Sequence, residues 1–294
     1  MTIDAPASAP ASAIVSAPLR ATVIERPAPS RISARWHDIV VLTRRNLVHV
    51  RREPAQLSDV TIQPVLFTML FIYVFGSGIP IQGGNYKDFA LAGLLTLNLT
   101  TSAMGTGVGI SADMTTGVID RFRTLPMWRS AVLIGRSFSD LLAATLCVAI
   151  VAATGLAIGW RTGAPIISVI GGFAVALFFS YALCWGCACI GLMSKGPESA
   201  QGVGLIVLFP LAFVSNAMVP TQGMPGWLQV IADWNPVSAV TAACRDLFGN
   251  PNPSGSIHAW PMEHPVWAAL GWSVVLLAIC APLAAAIFRR RITE

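Results

Sequence analysis

Two lysines, four histidines and six cysteines carry the most versatile chemistry in this 294-residue chain, and their neighbours decide what they can do. A Walker-type phosphate loop needs a lysine followed by Ser or Thr. Lys87 precedes Asp88 and Lys195 precedes Gly196, so the chain has no such loop. Neither G-x-S-x-G nor H-E-x-x-H occurs, which removes the usual serine-hydrolase and zinc-protease arrangements. His258 and the Glu263-His264 pair are too sparse for a metal centre, and Cys184, Cys187 and Cys189 have no nearby His or fourth Cys to complete a tetrahedral site. Cys147, Cys184, Cys187, Cys189 and Cys280 lie in apolar stretches, where a thiol acts as a small hydrophobe. Cys244 falls in a loop-like region without an obvious partner. No catalytic residue, metal or cofactor is expected on this chain. An ion-coupled carrier would need ionisable groups at membrane depth. The candidates, Asp59 and Asp140, fall near span ends, and Asp140 follows Arg136 by four residues, the spacing of an intrahelical ion pair.

The elements that must position these residues are apolar. The chain is 54% hydrophobic and 11% charged, with mean hydropathy +0.66 and net charge +5. Soluble domains carry charge on about a quarter of their residues, so a soluble, disordered or nucleic-acid-binding identity is excluded. A membrane helix needs about 20 apolar residues, and six stretches qualify: 57–78, 88–112, 137–159, 165–193, 202–220 and 266–288. The expected fold is all-α and polytopic, with six transmembrane helices. With both termini inside, 16 of the 19 Lys and Arg are cytoplasmic and only Lys87, Arg161 and Arg245 are outside, which is the positive-inside pattern. Trp160, Trp227, Trp234, Trp260 and Trp267 then gather at the outer boundary, with Trp36 and Trp128 at the inner one.

Residues 1–33 are rich in Ala, Pro and Ser and read as a disordered cytoplasmic tail; residues 34–294 form the membrane domain. From Ala34 to Arg52, apolar residues alternate helically with Arg44, Arg45, Arg51 and Arg52, the pattern of an amphipathic helix lying against anionic lipid. The outer segment 221–265 contains Asn235 as an N-cap with Pro236 at the first helical position, and a short helix Val237–Phe248. Such short Trp-rich helices suit re-entrant hairpins in the outer leaflet.

The cytoplasmic stretch 113–136 offers a short helix at about 113–126. It carries Asp113, Asp120, Arg121 and Arg123 around apolar Phe122 and Leu125, closed by Pro126. An apolar ridge framed by charge can dock a protein; a helix lying on the membrane would show the same periodicity. For a ligand path, spans two and five supply Thr96, Asn98, Thr100 and Thr101, and Phe209, Phe213 and Asn216. Sparse polar groups among apolar walls suit an amphipathic small molecule, and interhelical packing would use the same residues. Gly105-x-x-x-Gly109 and Gly155-x-x-x-Gly159 permit close helix approach.

Gly117 to Asp140, with Asp120-Arg121-Phe122-Arg123 and Leu125-Pro126, resembles the type-2 ABC exporter permeases, and within them the daunorubicin-resistance permease subfamily. Pro54-Ala-Gln56-Leu57-Ser-Asp59-Val60, Asn216-Ala-Met-Val-Pro220, Met224-Pro225-Gly226-Trp227-Leu228 and Asn235-Pro236-Val237 are similar to it too. The resemblance covers roughly residues 35–290. It implies a multi-pass permease of the inner (plasma) membrane that pairs with a second permease copy, as a homodimer or with a sister permease. A separate cytoplasmic ABC ATPase would bind ATP and Mg, and the cargo would be a hydrophobic drug, antibiotic or lipid-like metabolite. The stretch 113–126 would then be the coupling helix. An ion-coupled carrier or channel, and a membrane scaffold or enzyme, are the competing readings.

Overall fold

In a computed structural model, residues 43, 54–76, 78–79, 81, 84–116, 131–253 and 259–293 are described. They are helical, with no strand among them. In chain order the helices are α1 (Pro54–Leu70, continued by a π-helical turn, Phe71–Phe75), α2 (Tyr86–Thr115), α3 (Ala131–Ile158), α4 (Ile166–Met193), α5 (Pro197–Phe213), α6 (Gly226–Asp233), α7 (Pro236–Phe248), α8 (Trp260–Glu263) and α9 (Pro265–Thr293). The six apolar stretches of the sequence fall on α1, α2, α3, α4, α5 and α9. Among the described residues, three helical stretches are long and apolar enough to cross a membrane: Leu133–Ile158, Ile166–Met193 and Pro265–Arg291. Val60–Phe75 and Pro197–Phe213 are shorter apolar helices.

Helix α2 is the axis of the molecule. It is 30 residues long, and from Phe89 through Thr100 every residue is buried. It packs on α4 over much of its length and also touches α3, α5 and α7. Glycines allow the approach to α4: a Cβ at Gly107 would come within 2.6 Å of Cys187 O, and one at Gly191 would collide with Gly107 O. These small positions let backbones meet where bulky side chains would hold them apart. The main core runs from Phe89, Leu94, Leu95 and Leu99 on α2 to Val175, Phe179 and Leu183 on α4 and Val237, Val240 and Phe248 on α7.

Outward faces are apolar instead, as lipid requires. Leu66, Leu70, Tyr73 and Val74 of α1, Ile166, Ile167 and Ile170 of α4, and Ile206 of α5 are all exposed. Pro64, Pro210 and Pro282 each sit inside a helix. Each removes one backbone donor, which membrane helices tolerate when neighbours re-satisfy the freed carbonyl.

The sequence reading misses several boundaries by a few residues, and two of them by the most. Helix α3 already runs at Ala131, ahead of the expected 137. Helix α5 stops at Phe213, well before 220, and Val214–Pro220 is not helical. Cys244, read as a loop residue, is buried within α7. The amphipathic helix expected at Ala34–Arg52 lies outside the described residues except for Thr43.

Candidate functional site

The unwound end of α5 poses a physical problem. Its last carbonyls have no helical partners, and an orphaned carbonyl in an apolar setting costs several kcal/mol. Helix α7 supplies the missing donors. The chain enters α7 through Asn235, whose side chain accepts from Val237 N at 2.8 Å, the N-cap its sequence announces. The Asn235 amide also donates to Leu211 O at 2.8 Å and to Val214 O. One turn on, Ser238 Oγ accepts from Asn216 N at 2.9 Å. Ser215 Oγ donates to Ala212 O at 2.6 Å, and Tyr86 Oη of α2 donates to Met218 O at 3.3 Å.

The far end of α7 completes this cap with an arginine. Arg245 is 1% exposed. Its Nε donates to Phe89 O at 3.0 Å, and its Nη2 donates to Asn216 O at 2.8 Å and Ala217 O at 3.1 Å. The guanidinium carbon stands 3.6 Å from the centroid of the Phe89 ring, a cation–π contact in a desolvated site. Burial pushes the Arg245 pKa down to about 9, leaving it cationic at neutral pH. Gly93 lies directly against Ala217 O, so any Cβ there would displace the loop that Arg245 holds. Beyond Arg245 the helix ends at Gly249, whose φ of +69° a residue with a Cβ would adopt only at a cost. Nearby, Asp233 is fully buried and accepts from Thr221 Oγ1 at 3.0 Å; burial raises its pKa.

At the opposite end of α2 the groups are charged on both sides. Arg136 and Asp140 of α3 form the i,i+4 pair expected from their spacing, with Nε to Oδ2 at 3.4 Å. Arg136 Nη1 lies 3.9 Å from Asp113 Oδ2, in the last turn of α2. Thr106 Oγ1 donates to Asp140 Oδ2 at 2.6 Å, and Arg136 Nη2 donates to Gly105 O at 3.2 Å. The side chains of Arg136, Asp113 and Asp140 are 20%, 23% and 19% exposed. Asp113 is thus held where the connection from α2 to α3 begins. Asp120, Arg121, Phe122, Arg123, Leu125 and Pro126, the rest of the expected coupling helix, lie outside the described residues.

The polar groups singled out on α2 do not form one lining. Thr96, Asn98 and Thr100 are buried and donate to the carbonyls four residues earlier, Ala92, Leu94 and Thr96, at 2.8–2.9 Å. Thr101 is exposed, although its hydroxyl also turns back, to Leu97 O and Asn98 O. On α5, Phe209 and Phe213 are exposed and stacked, with centroids 4.3 Å apart. Asn216 is buried in the α7 cap with its Oδ1 unpartnered. Asn216 is thus held in the cap by Ser238 and Arg245, whereas the two phenylalanines are exposed. Sequence reasoning passed over Arg245, counting it only as an outside charge. An arginine directly after the Ala- and Val-rich run 237–244 was the available signal.

The sequence matches the family described as "ABC-2 type transporter" over residues 37–248. Among characterised relatives, the daunorubicin resistance ABC transporter permease protein DrrB1 of Streptomyces coeruleorubidus is 31% identical over 277 residues, 94% of each chain. The probable doxorubicin resistance ABC transporter permease protein DrrC of Mycobacterium tuberculosis is 22% identical over 86% of this chain and 88% of its own. The probable multidrug ABC transporter permease YbhR of Escherichia coli is 24% identical over 71% of this chain and 54% of its own. With apolar helices long enough for a bilayer and a family match over most of its length, the chain belongs to the ABC-2 type transporter family of membrane permeases.

Proposed function

We propose that the chain is the membrane half of an ATP-driven exporter, with six spans, both termini cytoplasmic, and a paired permease copy beside it. A separate ABC ATPase binds ATP and Mg and drives transport, and the cargo is a hydrophobic drug, antibiotic or lipid-like metabolite. The observation that carries this reading is the near end-to-end similarity to a daunorubicin resistance permease. The lack of a Walker lysine in the sequence fits a reading in which a partner supplies the energy.

In this reading the stretch 113–126 docks the ATPase, with Arg121 and Arg123 setting register and Phe122 and Leu125 providing burial. Closure of the ATPase pair pushes on this connection, and α2 carries the movement into the membrane. Exposed Thr101 and the Phe209–Phe213 pair offer a polar hydroxyl and aromatic surface to an amphipathic cargo on its way out.

The test is ATP-dependent uptake of daunorubicin into inside-out vesicles holding the permease and the ATPase that co-purifies with it. Uptake that requires both chains is expected, and so is its loss in the Arg121→Glu, Arg123→Glu double variant with the permease still inserted. Removing one buried partner of an interfacial charge pair costs about 2–5 kcal/mol, roughly 30- to several-thousand-fold in affinity. Uptake by the permease alone, without any ATPase, would point to a secondary carrier instead.

A further inference from the structure

Helix α2 carries a glycine pair, Gly105 and Gly109, whose spacing suggests a contact between helices. The structure gives it another use. A Cβ at Gly109 would push the guanidinium of Arg136, the far end of a flexible side chain, out of its place, and no neighbouring atom lies within 4 Å of a Cβ built at Gly105. Gly109 is a notch in which the arginine of α3 lies flat against the α2 backbone, donating to Gly105 O at 3.2 Å.

Three elements meet at this seat. Asp113 of α2 and Arg136 of α3 bracket the cytoplasmic connection and face each other at 3.9 Å, closing its base. Thr43, which precedes α1 in the chain, also reaches this turn: its Oγ1 donates to Gly135 O at 3.2 Å and its carbonyl accepts from Ser139 Oγ at 3.4 Å. Those two residues flank Arg136 on α3. Movement of either the N-terminal segment or the connection therefore reaches the same turn of α3.

The contacts at this seat are of a kind that can exchange. Arg136 Nε is buried without a hydrogen-bond partner and meets Asp140 only as an ion pair. One guanidinium stands between two carboxylates, at 3.4 Å and 3.9 Å. Asp140 is already stabilised by Thr106, so a small shift of α2 along α3 trades one ionic partner for the other without leaving a bare charge. A packed element with two discrete arrangements is what carries coupling between distant sites.

We propose that Arg136, seated in the Gly109 notch, is the positioning residue that passes movement of the cytoplasmic connection to α2. This rests on the ATPase-driven reading above. Without the seat, the base of the connection is a free hinge and a push on it is dissipated.

The test uses the full chain in membranes with its co-purified ATPase, reading ATPase pull-down, ATP hydrolysis and daunorubicin uptake on the same vesicles. Arg136→Gln is expected to keep the ATPase bound but to lower uptake per ATP hydrolysed about tenfold, in the range of pairwise couplings within ion networks. Gly109→Ala, which leaves every charge in place but fills the notch, should do the same. Arg136→Lys, which keeps a cation, should recover part of the loss. If Arg136→Gln fails to insert, Gly109→Ala decides. Parental uptake per ATP in inserted Gly109→Ala or Arg136→Gln would overturn the inference, and loss of ATPase binding would overturn it too by making Arg136 a docking residue. A parent protein without ATP-dependent uptake would overturn the exporter reading and this inference with it.

Discussion

The two ends of α2 are fastened in opposite ways. At one end Arg245 is buried among carbonyl oxygens and an aromatic face, and its hydrogen bonds join α7, α2 and the unwound tail of α5. At the other, Arg136 is partly exposed and faces two carboxylates at distances too long for strong charge-assisted hydrogen bonds. A buried cation satisfied by directional bonds is costly to dislodge, because moving it strands both the charge and its acceptors. A hydrated ion network rearranges at little cost, since water and alternative partners take over. On the proposed exporter reading, in which movement passes from one side to the other, the first kind of fastening marks a fixed point and the second a moving one.

This comparison can be broken most directly at Arg245. Arg245→Ala should destabilise the folded permease by about 3–5 kcal/mol, as expected when one member of a buried polar arrangement is removed. The measurement is thermal unfolding in detergent, with protease sensitivity of 214–220 as a local reading. A loss below about 1 kcal/mol would place this end among the adaptable contacts and erase the contrast.

A smaller loss is expected at Asn235, which serves both as N-cap of α7 and as donor to two α5 carbonyls. Asn235→Ala should cost about 1–3 kcal/mol. Faster hydrogen exchange should appear at the end of α5 as well as in the first turn of α7. Exchange confined to α7 would show that α5 does not depend on the cap.

The smallest effect on stability belongs to the opposite end. Arg136→Gln should lower stability by about 1 kcal/mol or less, and added salt should shrink the difference further. A loss as large as that of Arg245→Ala would mean that both ends are equally rigid.

Much of this architecture was legible from hydropathy. The six apolar stretches coincide with six of the helices, and Asn235-Pro236 announced the start of α7 by its capping chemistry. The Arg136–Asp140 pair followed from i,i+4 spacing. The stop of α5 at Phe213 was not legible. Ser215 and Asn216 interrupt the apolar run beyond it, but Ala217, Met218 and Val219 resume it, and the helix gives way where side chains from α7 offer donors to its carbonyls. The role of Gly109 was equally hidden, since a glycine looks the same whether a helix, a carbonyl or a guanidinium fills the space it leaves.

The sequence by itself determined the solvent. A chain with so few charges between long apolar runs must place its helices in lipid, because water would not cover them and backbone groups in lipid must bond within helices. It also determined that no phosphate loop of the Walker type is present. Only the tertiary structure decided which of its arginines are anchored and which are exchangeable. Arg245 and Arg136 are chemically identical, and each follows a run typical of an apolar helix. Their difference arises from what other elements bring to them: bare carbonyls in a dry interior for one, and carboxylates at a partly exposed helix end for the other.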